Sequence, residues 1–427
     1  SQIEGETTAS KGFVIYEGDV DWNTILIGDD NSSSTTNTKT EEVVTDETNE
    51  EGKTIQQNIG NDNKVEENTE NIESYGNIEE DATDDAIADD VTTDGTDTTD
   101  ETETTVTQQD INIFNLQKSR NQYVWVPVDD PSRIYGVDSN GKIWGKLYKI
   151  VWHSGGAVTR EPDNWTEKDK ILSITDKTKG FRDPDVVFNN EYDTDGYSYR
   201  IEYGLGESRY GMLAKELEQN YYEIIKSIKK YGGFYIGRYE TGGTSEETGL
   251  VKKMNTNIRH NTWYTMYKKC LTLKGNNDNI KTSMILGSLW DETIEWLVRS
   301  EAIISNGTIL TYQVIYRSST SFGNYYNSTF KYIPEKAEIP KEIATKEKDN
   351  RLIIPTGSSE YTKINNIYDL AGNVGEYNTS VYSVNGRYLR GGDYQSQASK
   401  KTIMGGEVTR PNYSYKEYGG RAMLWIK

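Results

Sequence analysis

Between Asp29 and Asp110 the chain carries 26 acidic residues against three lysines, a local charge of −23, with Tyr75 as the one aromatic side chain. No other feature narrows the choice of fold so far. A stretch of this kind buries too little apolar surface to offset its chain entropy, and its like charges repel one another. Residues 29–110 therefore read as a disordered, extended acidic linker. The formal charge of the whole chain is −21, so the remainder is close to neutral and offers no field that would gather nucleic acid. Its Thr and Ser content is compatible with a glycosylated stalk, but a plain solvated spacer is the simpler reading.

The linker divides the chain into a short N-terminal β segment, residues 1–28, and one large domain, residues 111–427. The first contains "GFVIYEGDVDWNTILIG", two short apolar runs that could pair as strands; two strands alone are marginal in water, so they are expected to dock on something. No run of eighteen apolar residues predicts a membrane span, and no basic stretch followed by an apolar one reads as a signal peptide in the chain as given; a signal or anchor could have been removed upstream of Ser1. The single cysteine, Cys270, leaves no intramolecular disulfide.

Periodicity predicts three helices. From Met212 to Lys230, Leu213, Leu217, Tyr221, Ile224 and Ile228 fall on one stripe, and "YGG" at Tyr231–Gly233 supplies a glycine stop. A second helix, capped by Asn261, places Trp263, Met266, Tyr267 and Cys270 inward. A third begins at Ser288 with Asp291 as its capping partner and buries Trp290, Ile294 and Leu297. "YVWVPV", "GGFYIGRYE", "RYLRGG" and "RAMLWIK" are rich in aromatic and β-branched residues and read as strands.

One stretch fits neither class. "IYDLAGNVGEY", Ile367–Tyr377, is too apolar for a linker and too rich in glycine and acid for an ordinary strand or helix, so its backbone is expected to bend around something. With "RYLRGGDY" after it and "YGGRAMLWIK" at the end, it resembles the formylglycine-generating-enzyme-like (sulfatase-modifying-factor) domain, a branch of the C-type-lectin-like fold. The resemblance spans about Tyr123–Lys427, with gaps near 155–210 and 305–350. It implies an α+β fold of short twisted strands, two to three helices and long loops. The family usually has Trp where Gly375 stands, Ser-Trp where Asp393 and Tyr394 stand, and Gly-Phe-Arg where Gly419, Gly420 and Arg421 stand.

In that family the matching loop wraps a calcium ion. Carried over residue by residue, the resemblance implies side-chain oxygens from Asp369 and Glu376 and carbonyls from Gly372 and Val374, a donor set suited to a hard cation at about 2.3–2.6 Å. The alternative is that the two carboxylates hydrogen-bond a tight turn without metal. Catalysis is not expected. Members that oxidise a sulfatase cysteine use two cysteines, and sulfoxide-forming relatives hold iron on three histidines, whereas this chain has Cys270 alone and only His153 and His260. No phosphate loop, zinc cluster or nucleophile elbow is present either.

Binding remains. The chain has 31 Tyr against 7 Phe, and tyrosine offers broad contact area at low rotamer cost. Some relatives are variable proteins of diversity-generating retroelements, mutagenised after the "RGG"; others resemble surface or pilus-associated proteins of gut Firmicutes. The resemblance implies a displayed face of Asp393, Tyr394, Gln395, Gln397, Asn412, Tyr413, Tyr415 and Tyr418. The expectation is an exported, non-enzymatic, adhesin-like module at the cell surface, or on a phage virion, that takes a protein or glycan ligand and no nucleic acid. A homo-oligomeric or filament contact is a further partner class. The rival reading is a structural subunit of a pilus or phage tail, and a weaker one is a degenerate enzyme.

Overall fold

The computed structural model describes residues 1–26, 105–137, 143–146, 148–162, 206–245, 248–275, 277–383, 386–411 and 413–427. Nearly all of the expected linker, residues 29–104, lies outside them, as does Asn412. In chain order the principal elements are β1 (Val14–Tyr16), α1 (Trp22–Ile25), α2 (Gln108–Ser119), β2 (Gln122–Pro127), α3 (Gly206–Tyr231), β3 (Gly233–Gly237), α4 (Trp263–Leu271), β4 (Ile280–Met284) and α5 (Gly287–Arg299). These are followed by β5 (Gly375–Ser383), β6 (Gly386–Arg390), β7 (Gly406–Thr409), β8 (Tyr418–Gly420) and β9 (Ala422–Ile426), with several two-stranded ribbons between. The architecture is α+β. No helix among the described residues is long and apolar enough to cross a membrane.

The larger sheet has the order β1-β2-β3-β9-β4, antiparallel throughout. Strands β2, β3 and β9 are largely apolar because both faces are covered. In β9, Met423 and Trp425 join the core cluster that contains Ile224 and Ile228 of α3 and Leu289, Ile294 and Leu297 of α5. Ala422 and Leu424 join the second cluster, with Trp263, Met266 and Cys270 of α4. Alternate side chains of one strand thus serve two cores.

The second sheet has the order β7-β6-β5-β8, and β8 runs parallel to β5, Glu376 lying opposite Gly419. A single residue, Arg421, separates β8 from β9. The chain therefore changes sheets there, and Arg421 stands where the two sheets meet.

Several details depart from expectation. The second apolar run of the N-terminal segment is the helix α1, capped by the Asp21 carboxylate, because Asp21 accepts from the amides of Asn23 and Thr24. Its first run docks as edge strand β1 on β2, and residues 1–26 belong to the same compact unit as 106–427. The 110/111 boundary falls inside α2, whose capping box joins Thr107 and Asp110. In α4 the cap is Thr262, paired with Thr265, while Asn261 accepts the Lys269 ammonium at 2.7 Å. α5 starts at Gly287 with no side-chain cap, and Asp291 is not a capping partner but a buried carboxylate facing Arg160 and Arg390 at 3.6 and 3.7 Å. α3 runs longer than expected, with Tyr221, Ile224 and Ile228 buried and Gly232 as its left-handed stop; the side chains of Leu213 and Leu217 lie outside the described set.

Candidate functional site

The bend in Ile367–Tyr377 is produced by three residues with positive φ, Asp369 (57°), Gly372 (74°) and Asn373 (61°). At Gly372 a Cβ would lie 2.2 Å from the Asn324 carbonyl oxygen, so only glycine fits. What the loop bends around is protein. The Asn373 amide donates to Glu240 Oε2 at 2.6 Å, and its oxygen accepts from Asn324 Nδ2 at 2.9 Å and the Ile354 amide at 3.1 Å. The Val374 amide donates to Glu240 Oε1 at 3.0 Å, and the Gly372 amide to the Gly391 carbonyl of the "RGG" turn at 2.8 Å.

Both expected metal carboxylates are already engaged. Asp369 accepts from the Thr362 hydroxyl at 2.6 Å, the Thr356 hydroxyl at 2.8 Å and the Gly357 amide at 2.7 Å. Glu376 is gripped by Arg421, whose Nη2 approaches Oε1 at 2.6 Å and whose Nε approaches Oε2 at 2.9 Å. The same guanidinium donates to the carbonyls of Gly237 and Tyr368, each at 2.9 Å. A cation at Glu376 would have to displace an arginine with neither side chain exposed to water. The set Asp369, Gly372, Val374 and Glu376 therefore does not fit calcium in this arrangement, whose geometry is that of the alternative, a hydrogen-bonded turn.

Burial pushes the Glu376 carboxyl up to about 7 even though Arg421 pulls it down. Glu240 and Asp369 are raised for the same reason, Glu240 also by the proximity of Asp369 and Glu376. Sequence reasoning did not single out Glu240 or Asn324. The available signal was the charged pair of "FYIGRYE", which continues a strand buried on both faces and so needs internal partners.

The expected displayed face is only partly displayed. Asp393 is buried because it closes its own turn, accepting from the Gln395 amide at 2.9 Å and the Ser396 hydroxyl at 2.7 Å. Tyr394 is buried with its amide on the Asn373 carbonyl, and Tyr418 is buried in β8. These three are framework. Gln397 is exposed and bonded to the Tyr326 hydroxyl, Tyr415 is 49% exposed, and Gln395 and Tyr413 are half-buried.

Four tyrosines form an edge-to-face row from core to solvent. Tyr377 meets Tyr418 at 5.7 Å between centroids, Tyr418 meets Tyr415 at 5.2 Å, and Tyr415 meets Tyr413 at 5.6 Å. The Arg410 guanidinium lies 5.6 Å over Tyr413. Next to this row is a small cleft lined by Leu389, Asp393, Lys400, Lys401, Glu407 and Tyr418, in which Lys401 bridges Asp393 at 3.3 Å and Glu407 at 2.5 Å.

No family model matches the chain, and no curated protein matches it. Among solved structures, Treponema denticola variable protein 1 is 14% identical and matches with a TM-score of 0.27 over 46% of this chain and 85% of its own. The structure titled "Crystal Structure of CarF" is 12% identical, with a TM-score of 0.26 over 46% of this chain and 87% of its own.

Proposed function

We propose that the chain is a non-enzymatic recognition module of the C-type-lectin-like, formylglycine-generating-enzyme-like type, exported and displayed, that takes a protein or glycan ligand across Tyr413, Tyr415 and Gln397. The observation that carries this reading is the tyrosine row: its inner members are fixed in the second sheet, so the exposed ring of Tyr415 is held before any ligand arrives. A pre-positioned aromatic loses little entropy on binding. The neighbouring cleft adds two lysines and two carboxylates for polar contacts.

A recognition role without turnover fits the one thiol. Cys270 is buried against Met266, and burial raises its pKa far above the range of a reactive cysteine. The test is a glycan and protein array probed with the full chain, followed by titration of the best binder. Tyr415→Ala is expected to weaken binding at least about tenfold, as loss of an aromatic anchor does, with the melting temperature unchanged. An array without a binder, or a ligand indifferent to Tyr415→Ala, Tyr413→Ala and Gln397→Ala alike, overturns the assignment.

A further inference from the structure

β1 is the outermost strand of the larger sheet, yet its partner β2 lies far along the chain, Tyr16 pairing with Gln122. Most of what holds residues 5–17 is supplied from beyond that long connection. The Glu6 carboxylate, buried, receives Arg238 Nη1 at 2.5 Å, and Arg238 is itself 2% exposed. Asn366 donates to the carbonyls of Gly5 and Gly12 at 2.9 and 2.8 Å. The Phe13 carbonyl accepts from the Trp125 amide at 2.8 Å, and Val14 enters the core beside Val124. Gly12, at φ +81°, is pressed so closely that a Cβ would lie 2.5 Å from Val124 Cγ1 and 2.8 Å from the Trp125 carbonyl oxygen. This is a formed peptide groove, with a buried charge pair, paired backbone and a glycine-only contact.

The covalent connection adds little to that grip. Closure entropy rises as about (3/2)RT ln n, and a long connection sets an effective concentration of order millimolar or below. We propose that the groove accepts the same segment from a second copy of this chain, so that two chains exchange residues 1–26 and each completes the other's sheet. Every contact of the exchanged form is one already made within a single chain, so concentration and the connecting segment decide between them.

The full chain, refolded from denaturant at low and at high micromolar concentration and weighed by light scattering, is expected to give a dimer fraction that rises with refolding concentration. Glu6→Gln and Arg238→Met chains refolded together should give a one-to-one heterodimer melting above either alone, because only exchange brings an intact Glu6 to an intact Arg238. Should those variants not fold, a labelled peptide of residues 1–20 on the unaltered chain keeps the question open to measurement. Saturable capture is expected, weakened about tenfold or more by Glu6→Gln in the peptide, as for loss of a charged hydrogen bond. Monomer at every concentration together with no capture overturns the proposal, and so does a dimer that a Glu6→Gln chain forms equally well.

Discussion

Arg421 ties three separate segments of the molecule together where the two sheets meet. Its guanidinium holds Glu376 of β5, the carbonyl of Gly237 that ends β3 and the carbonyl of Tyr368. Removing one partner of a buried pair leaves an uncompensated charge, a loss of about 3–5 kcal/mol. Arg421→Met is expected to lower stability by that amount in urea unfolding, and adding Glu376→Leu to recover a large part of it; additive losses would show that the pair is not the reason. The same carboxylates set a pH dependence. Glu240, Asp369 and Glu376 are raised by burial, Glu376 to about 7, so around neutrality the folded chain binds more protons than the unfolded one. Their contribution to stability is present at low pH and lost as pH rises through the folded value. The melting temperature is expected to fall between about pH 6 and about pH 8, and Glu376→Gln to flatten that slope; a melting temperature that rises over this interval would contradict it.

Elements in this fold are held at their ends by small polar groups. α4 is the case in point: Thr262 accepts from the Thr265 amide at 3.1 Å, the Thr265 hydroxyl accepts from the Thr262 amide at 2.9 Å, and the helix then presents Trp263, Met266 and Cys270 to the core. Thr262→Ala is expected to cost about 1 kcal/mol, seen as a lower urea midpoint with an unchanged slope. A neutral result would mean that packing alone fixes the helix start. α5 has no such cap, and its register rests on the apolar stripe of Leu289, Ile294 and Leu297. Sequence reasoning placed α3, α4 and α5 because burial stripes repeat at helical spacing, did not place the twelve-residue α2, and misplaced the caps because Asn261, Ser288 and Asp291 are the right residue types in the wrong geometry.

At the scale of the whole molecule, the N-terminal segment and the C-terminal domain make one compact unit, with the acidic segment between them in sequence. Residues 1–26 and 106–427 fold together, α1 lies against α2, and the Arg120 guanidinium reaches the Asp19 carbonyl. The elements that flank the acidic segment in sequence, α1 and α2, therefore belong to one body. Replacing residues 29–104 by a short Gly-Ser segment is expected to leave the melting temperature within about 2 °C, a change on the order of 1 kcal/mol or less. Deleting residues 1–26 instead should destabilise strongly, because Arg238 then loses Glu6. Calorimetry on the two chains separates the outcomes, and a large loss on the first would show that the insertion contributes to the fold.

Local composition by itself determined the acidic segment, the helical stripes, strands β2, β3 and β9 of the larger sheet and the bend in "IYDLAGNVGEY", because charge density, apolar period and glycine content act over a few neighbouring residues. It did not determine what the bend encloses. Glu240 and Asn324 bind Asn373, and Arg421 binds Glu376, each from 45 or more residues away, while Asp369 is held by the nearer Thr356, Gly357 and Thr362. Nor did it determine that Asp393, Tyr394 and Tyr418 face inward while Tyr415 faces out, since the alternation of a short strand tells two faces apart without telling which one is covered. Those choices belong to the tertiary structure, where buried charges must find opposite charges and buried amides must find acceptors, whatever their distance along the chain.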